Sequence, residues 1–222
     1  IHLAFAKCEA EFESKYPNDF SGSTCCLVLY FEEKGIFYIA NCGDSRAIVF
    51  SDISIDADSG KLVTTDHKPD LPTEKRRIES KGGTVVAFPY YKNGKTEYVH
   101  RVNGILAVAR SFGDQQLRPF LTEVPDVYGP FPISCRQNSA VLLACDGAFE
   151  CNTSEELCEN VSSTVTKCFR EETLTRNTLT RSKEKVGAEG RRALAITNAV
   201  LNYAYTKGSE DNITAVFIQF LE

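Results

Sequence analysis

Apolar side chains recur at the spacing of a helix face in several parts of the chain. Residues 1–17 show this pattern, as do residues 196–203, and residues 71–81 predict a short charged helix. Another helix is predicted to begin at Thr153, because Thr153 and Glu156 have the spacing of a capping box. These patterns predict helices near both ends of the chain and in its middle.

Continuous apolar runs between turn residues predict strands. Residues 25–31, 36–40 and 46–50 follow one another with short turns, which predicts an antiparallel meander. Both faces of these strands are apolar, so we expect a sheet that is covered on both sides. Further strands are predicted at residues 84–87, 105–108, 141–145 and 213–220, with a hairpin tip at residues 89–95. Strands in the centre with helices packed outside them indicate an α+β fold.

The domain organisation follows from length and local composition. The chain has 222 residues, which is long enough for one large domain, and no boundary is visible, so we predict a single domain over residues 1–222. Residues 171–192 are rich in Thr, Arg, Lys and Glu and have few apolar side chains. They predict a mobile, exposed insertion within that domain.

Charge and cysteine content exclude several classes of function. Lys+Arg 25 against Asp+Glu 30 gives a net charge of −5, which argues against binding to nucleic acids or anionic membranes. No apolar run approaches the length of a membrane span. The nine cysteines form no Cys-x-x-Cys pair, which argues against a zinc site and is typical of a reducing compartment. We therefore expect a cytoplasmic or nuclear protein.

Two aspartates lie at the ends of predicted strands. Asp146 follows the strand at residues 141–145, and Asp211 precedes the last strand. Carboxylates held rigidly at the end of a sheet are suitable ligands for Mg²⁺ or Mn²⁺. Asp-Gly and Asp-Asn are also ordinary turn sequences, so each aspartate considered alone has a purely structural explanation.

Five runs, in the same order along the chain, resemble the metal-dependent type 2C protein serine/threonine phosphatase family. Four of them are residues 21–24, 41–46, 66–69 followed by 74–83, and 101–114, and the two aspartate runs 143–147 and 209–213 together count as the fifth. The resemblance implies a four-layer αββα sandwich of two antiparallel sheets flanked by helices. It also implies hydrolysis of phosphoserine or phosphothreonine in a phosphoprotein substrate by a metal-activated water. A complete site in this family holds two Mn²⁺ or Mg²⁺ ions.

The resemblance also assigns roles to individual residues. The implied metal ligands are Asp146, Asp211 and Asp44, and the implied supporting residues are Gly147, Asn212 and Glu150. Asp44 corresponds to a weaker third metal, and Glu150 occupies the position of that metal's usual aspartate companion. His67 and Lys68 are interpreted as a surface turn, and residues 75–77 as a solvated helix face.

Several motifs of the family are missing from this sequence. It contains no Asp-Gly-His-Gly run, no Glu-Asp pair ahead of it and no phosphate-binding arginine, and it begins at Ile1 without a methionine. The first family strands are missing too. Two carboxylates can hold at most one weakly bound ion, so no catalytic residue is assigned and these 222 residues alone are predicted to be inactive.

Two interpretations follow from these absences. The chain is the C-terminal part of a phosphatase with upstream motifs, or it is a pseudophosphatase that acts as a binding or regulatory module. The retained carboxylates favour the first interpretation, and we expect a monomer.

Overall fold

The computed structural model describes residues 1–51, 60–62, 64–92, 94–133, 139–176 and 188–220. Within these residues the helices are α1 (His2–Lys15), α2 (Pro72–Ser80), α3 (Ser154–Arg176) and α4 (Ala188–Thr206). The strands are β1 (Gly22–Ser23), β2 (Cys25–Phe31), β3 (Ile36–Cys42), β4 (Arg46–Phe50), β5 (Gly60–Leu62), β6 (Val85–Lys92), β7 (Lys95–Val102), β8 (Phe112–Gly113), β9 (Asp126–Pro132), β10 (Ala140–Ala144) and β11 (Ala215–Gln219). No helix in these ranges is long and apolar enough to cross a membrane.

The chain forms two compact units, each built from several segments. The first contains Ile1–Leu29, Tyr38–Ser45 and Thr64–Gly129, and the second contains Tyr30–Phe37, Arg46–Val63 and Pro130–Glu222. A single family-type domain over the whole chain stays a prediction.

The second unit is built on a four-stranded sheet in the order β11-β10-β4-β5, with antiparallel neighbours. The register of strand pairing places Leu142 opposite Ile48 on one neighbouring strand and opposite Phe217 on the other. All three belong to one core cluster with side chains of α3 and α4, which present residues four apart on the same helix face. Those helix residues are Leu157, Val161 and Val165 in α3 and Ile196 and Val200 in α4.

In the first unit, α1 is attached through one helix face. The Phe5 ring lies 5.1 Å from that of Phe112, measured between centroids. One turn later, buried Glu9 accepts a hydrogen bond from the Gly113 N–H at 2.9 Å and forms an ion pair with Arg118 at 2.8 Å. This helix is therefore fixed by an apolar contact and a buried carboxylate together.

The predicted meander is wrong at its third strand. β3 lies in a sheet of order β2-β3-β9, whereas β4 pairs with β10 and β5. The chain changes direction at Gly43, whose φ is +114°, and β4 enters the other sheet. A short turn between two apolar runs does not require those runs to pair, because either run can pair with a strand far away in sequence.

The hairpin is longer than predicted. β6 and β7 pair from Val85↔Val102 to Lys92↔Lys95, so the residues assigned to the tip are largely in strands. Residues 105–108 form no strand, although Leu106 makes an isolated bridge with Val102. Residues 171–176 and 188–192 of the predicted insertion lie in α3 and α4, and residues 177–187 lie outside the described residues.

Candidate metal site

The Asp146 turn closes directly after β10. Cys145 is extended, with φ −73° and ψ 171°, and a single 3-10 turn follows over Asp146–Ala148. The Gly147 N–H donates to Asp146 Oδ1 at 3.0 Å, and the Phe149 N–H donates to the Asp146 carbonyl at 2.7 Å. Ala148 is fully buried in the core of the second unit. Asp146 is therefore exposed on a turn that is anchored by the buried side chain of Ala148, two residues later.

The Asp211 turn is built in a similar way between α4 and β11. α4 ends at a left-handed glycine, Gly208, with φ +94°. The Ser209 N–H donates to the Ala204 carbonyl at 3.1 Å, and the Asn212 N–H donates to Asp211 Oδ1 at 2.7 Å. In each turn, one carboxylate oxygen is held by the backbone N–H of the next residue.

Strand pairing places the two turns at the same end of the sheet. β10 and β11 pair at Ala144↔Ala215, immediately before one turn and after the other. The Cys145 N–H donates to the Thr214 carbonyl at 3.1 Å, and Cys145 Sγ lies 3.1 Å from both the Thr214 N and the Asn212 carbonyl oxygen. Two aspartates 65 positions apart in sequence are thus carried on turns that touch each other.

Gly147 is required for this close contact. A Cβ atom built at Gly147 would lie 2.4 Å from the Asn212 carbonyl oxygen and 3.3 Å from Asp211 Cβ. The first distance is shorter than real Cβ contacts allow, so any side chain would push the turns apart. Gly147 thus allows the close approach of the two turns, and its supporting role at a metal ion stays a prediction.

Glu150 contacts the Asp211 turn. Its Oε2 accepts hydrogen bonds from the Ser209 hydroxyl at 3.0 Å and from the Glu210 N–H at 3.2 Å. The same hydroxyl lies 2.8 Å from the Gly147 carbonyl oxygen. The Glu150 carboxylate, predicted to support a third metal, therefore joins the segment after Asp146 to the segment before Asp211.

Asp44 belongs to the first unit, where it follows β3. Its side chain is buried and forms an ion pair with the half-exposed ammonium of Lys68. Beside it, the Ser45 and Thr24 hydroxyls are 2.9 Å apart. Lys68 thus supplies a positive charge to this carboxylate, and the metal-binding role of Asp44 stays a prediction.

The interpretation of His67 as part of a surface turn is wrong. His67 is fully buried, its Nδ1 accepts a hydrogen bond from the Gly43 N–H at 3.0 Å, and its Nε2 lies 3.2 Å from Asp126 Oδ2. Since Nδ1 is an acceptor, the neutral ring carries its proton on Nε2 and donates it to Asp126. Burial and the nearby Arg110 guanidinium lower the pKa of His67 despite the Asp126 carboxylate. This imidazole ties the Gly43 turn to β9.

The solvated helix face predicted at residues 75–77 is wrong for Arg77. Buried Glu74 accepts hydrogen bonds from Arg77 at 2.8 and 3.0 Å and from Arg110 at 2.6 and 3.0 Å. Burial opposes ionisation of Glu74, but these two guanidinium groups outweigh it and lower its pKa. Arg110 also donates to Asp126 Oδ1 at 2.8 Å. In the sequence, the only sign of this network is that Glu74 and Arg77 carry opposite charges and lie three residues apart on one helix face.

The donors at the Asp146 and Asp211 turns fit part of a metal site. Carboxylate oxygens suit Mg²⁺ or Mn²⁺, and both aspartates have one oxygen oriented by a backbone N–H. In the described ranges, no group of three or more His, Cys, Asp or Glu side chains could hold a metal ion. Asp146 and Asp211 therefore supply the donor type that a hard divalent cation prefers, and their binding of such an ion stays a prediction.

A comparison with known protein families identifies the family of this chain. Residues 1–213 match the family described as protein phosphatase 2C. This chain belongs to that family. The family resemblance of the sequence is confirmed, as is the α+β fold with antiparallel sheets and helices.

Relatives come from plants and animals. The chain is 30% identical to protein phosphatase 2C 56 of Arabidopsis thaliana, a match that covers 97% of this chain and 45% of that protein. It is 32% identical to protein phosphatase ppm-1.A of Caenorhabditis elegans over 93% of this chain and 37% of that protein. Human protein phosphatase 1B is 31% identical, with coverages of 91% and 35%. The chain thus spans less than half the length of these relatives.

Solved structures show the same fold. A Caenorhabditis elegans sex-determining protein matches with a TM-score of 0.70 and 23% identity, over 100% of this chain and 46% of that one. A phosphatase from a pathogenic strain of Toxoplasma gondii matches with a TM-score of 0.66 and 25% identity, over 99% and 73%.

Proposed function

We propose that this chain is part of a metal-dependent protein serine/threonine phosphatase and that Asp146 and Asp211 hold one Mn²⁺ or Mg²⁺ ion. The observation that supports this proposal is the contact between the Asp146 and Asp211 turns, in a chain of the protein phosphatase 2C family. Antiparallel pairing of β10 with β11 brings the two turns to one end of the sheet, and each turn carries a carboxylate there.

A divalent ion at this position would lower the pKa of a bound water and supply hydroxide for attack on the phosphorus of phosphoserine or phosphothreonine. The residues of this chain would orient the two carboxylates that hold the ion. One oxygen of each aspartate is held by the next backbone N–H, which restricts the rotation of the carboxylate. Gly147 and the Asn212 backbone set the distance between the two turns. The substrate class proposed is a phosphoprotein.

The ligand set within these residues is incomplete, and this limits the activity that we propose. The family's bridging carboxylate, phosphate-binding arginine and general acid have no counterpart in the sequence. We therefore propose that residues beyond these 222 complete the site, and we expect no turnover from the 222 residues alone.

The test combines metal binding with turnover. Calorimetric titration of the chain with Mn²⁺ should give one weak site that Asp146→Asn removes, while Asp70→Asn, an exposed residue in the other unit, leaves binding unchanged. The product of the complete reading frame should hydrolyse a phosphothreonine peptide only with Mn²⁺ or Mg²⁺. Metal-independent turnover, full activity of the Asp146→Asn variant, or tight binding of two ions by the chain would overturn the proposal.

A second candidate, a pseudophosphatase that acts as a binding or regulatory module, is favoured by one observation. The carboxylates of Asp44 and Glu150, both predicted at a third metal, are bonded to Lys68 and Ser209. A complete reading frame that binds phosphoprotein but shows no turnover with either metal would establish this alternative.

A further inference from the structure

Glu150 lies four residues after Asp146 and contacts the segment that leads into Asp211. We propose that Glu150 is a positioning residue that holds the Asp211 turn against the Asp146 turn, and not a companion to a metal ion. We call the set formed by Glu150, Ser209 and the Glu210 N–H the Glu150 clamp. The inference rests on the proposed metal site at Asp146 and Asp211.

The geometry of the Glu150 clamp supports this role. Glu150 Oε2 accepts from the Ser209 hydroxyl at 3.0 Å and from the Glu210 N–H at 3.2 Å. These donors lie two residues and one residue before Asp211, so the carboxylate is bonded to the segment that positions the second aspartate. Hydrogen bonds to an ionised carboxylate are roughly twice as strong as bonds between neutral groups.

The Ser209 hydroxyl connects the turns in two ways. It is buried, with 7% of its surface exposed, and it has one hydrogen for two acceptors. Those acceptors are Glu150 Oε2 at 3.0 Å and the Gly147 carbonyl oxygen at 2.8 Å. Both belong to the residues that follow Asp146, so either choice of acceptor joins the same two segments.

The length of the side chain at position 150 distinguishes a residue that positions the Asp211 turn from one that assists a metal ion. An aspartate at position 150 would withdraw the carboxylate by about 1.5 Å, the length of one carbon–carbon bond. Bonds of 3.0 and 3.2 Å would then exceed the limit of a hydrogen bond, and both contacts would be lost. An aspartate is, however, the residue that the family uses beside its third metal. Glu150→Asp therefore gives opposite results for the two roles.

The experiment is a calorimetric titration of the 222-residue chain with Mn²⁺. If the Glu150 clamp positions Asp211, Glu150→Asp and Glu150→Gln should each weaken Mn²⁺ binding about tenfold, as removal of outer-shell partners of a metal ligand commonly does. Ser209→Ala should weaken it by a similar factor, and the double variant Glu150→Asp/Ser209→Ala should lose little more than either single variant. Glu159→Asp, an exposed glutamate on α3, is the matched control and should not change binding.

The outcomes separate this inference from the proposed function. If the unaltered chain binds Mn²⁺ and Glu150→Asp binds it equally or more tightly, the clamp is refuted and the metal site stands. If the unaltered chain binds no Mn²⁺, the metal site fails, and thermal unfolding of the same variants decides the clamp. Melting temperatures that fall additively in the double variant would refute it, and a non-additive fall would support it.

Discussion

Replacement of Gly147 by alanine should separate the two aspartate turns. The added Cβ would lie 2.4 Å from the Asn212 carbonyl oxygen and 3.1 Å from its carbonyl carbon. An ordinary van der Waals contact needs about 3.5 Å, so the Asn212 backbone must retreat by about 1 Å. Both contacting atoms are backbone, so a change of side-chain rotamer cannot relieve the overlap.

The displacement sets the size of the expected effect. Metal–ligand distances tolerate only about 0.2 Å of deviation, and the shift would be several times larger. Mn²⁺ affinity should therefore fall by roughly 10–100-fold, the range found when the support of a metal ligand is disturbed. Overpacking of a well-packed site also costs about 1–3 kcal/mol of folding stability, so Gly147→Ala should weaken metal binding and stability together.

The assay uses calorimetry for Mn²⁺ and urea unfolding for stability. Gly190→Ala is the control, because Gly190 lies near the beginning of α4 and is exposed. An alanine in a helix is favoured over glycine by up to about 1 kcal/mol, so this variant should keep its Mn²⁺ affinity and gain stability. Unchanged Mn²⁺ affinity in a folded Gly147→Ala variant would refute the claim that close contact between the turns positions the ligands.

The buried charges of the first unit give two further predictions. Glu74→Gln should lower the free energy of unfolding, measured with urea, by about 3–5 kcal/mol, because it leaves two partly buried arginines without their shared carboxylate. The control Glu79→Gln, at an exposed position on the same helix, should change this free energy by less than about 0.5 kcal/mol. Equal effects of the two substitutions would contradict the argument. The pKa of His67 is lowered by burial and by the Arg110 charge, so below about pH 6.5 the unfolded chain binds a proton that the folded chain does not. The contribution of His67 to stability is thus complete above pH 6.5 and decreases, as pH falls, by at most about 1.4 kcal/mol per pH unit until the folded pKa is passed. His67→Asn should remove this part of the dependence of the free energy of unfolding on pH, whereas His2→Asn, at an exposed position, should leave it unchanged. An unchanged pH dependence in the His67→Asn variant would show that His67 is not the group responsible.

Local sequence determined much of the secondary structure and the identity of the two aspartates. The capping box is present as predicted, since the Thr153 N–H donates to Glu156 and the Glu156 N–H donates to Thr153. Asp146 and Asp211 stand out in the sequence because each adjoins an apolar strand, a relation contained within a few residues. Such features depend on backbone conformation and burial periodicity, which neighbouring residues control.

Only the tertiary structure decided which elements pair and which polar groups are buried. β4 pairs with β10 rather than β3, His67 is enclosed between Gly43 and Asp126, and Glu150 reaches Ser209 across 59 positions of sequence. Each of these contacts joins residues that are far apart along the chain. Hydrophobic periodicity specifies that a strand or helix has a buried face, but the partner that covers this face is chosen by long-range packing, which a local pattern does not contain.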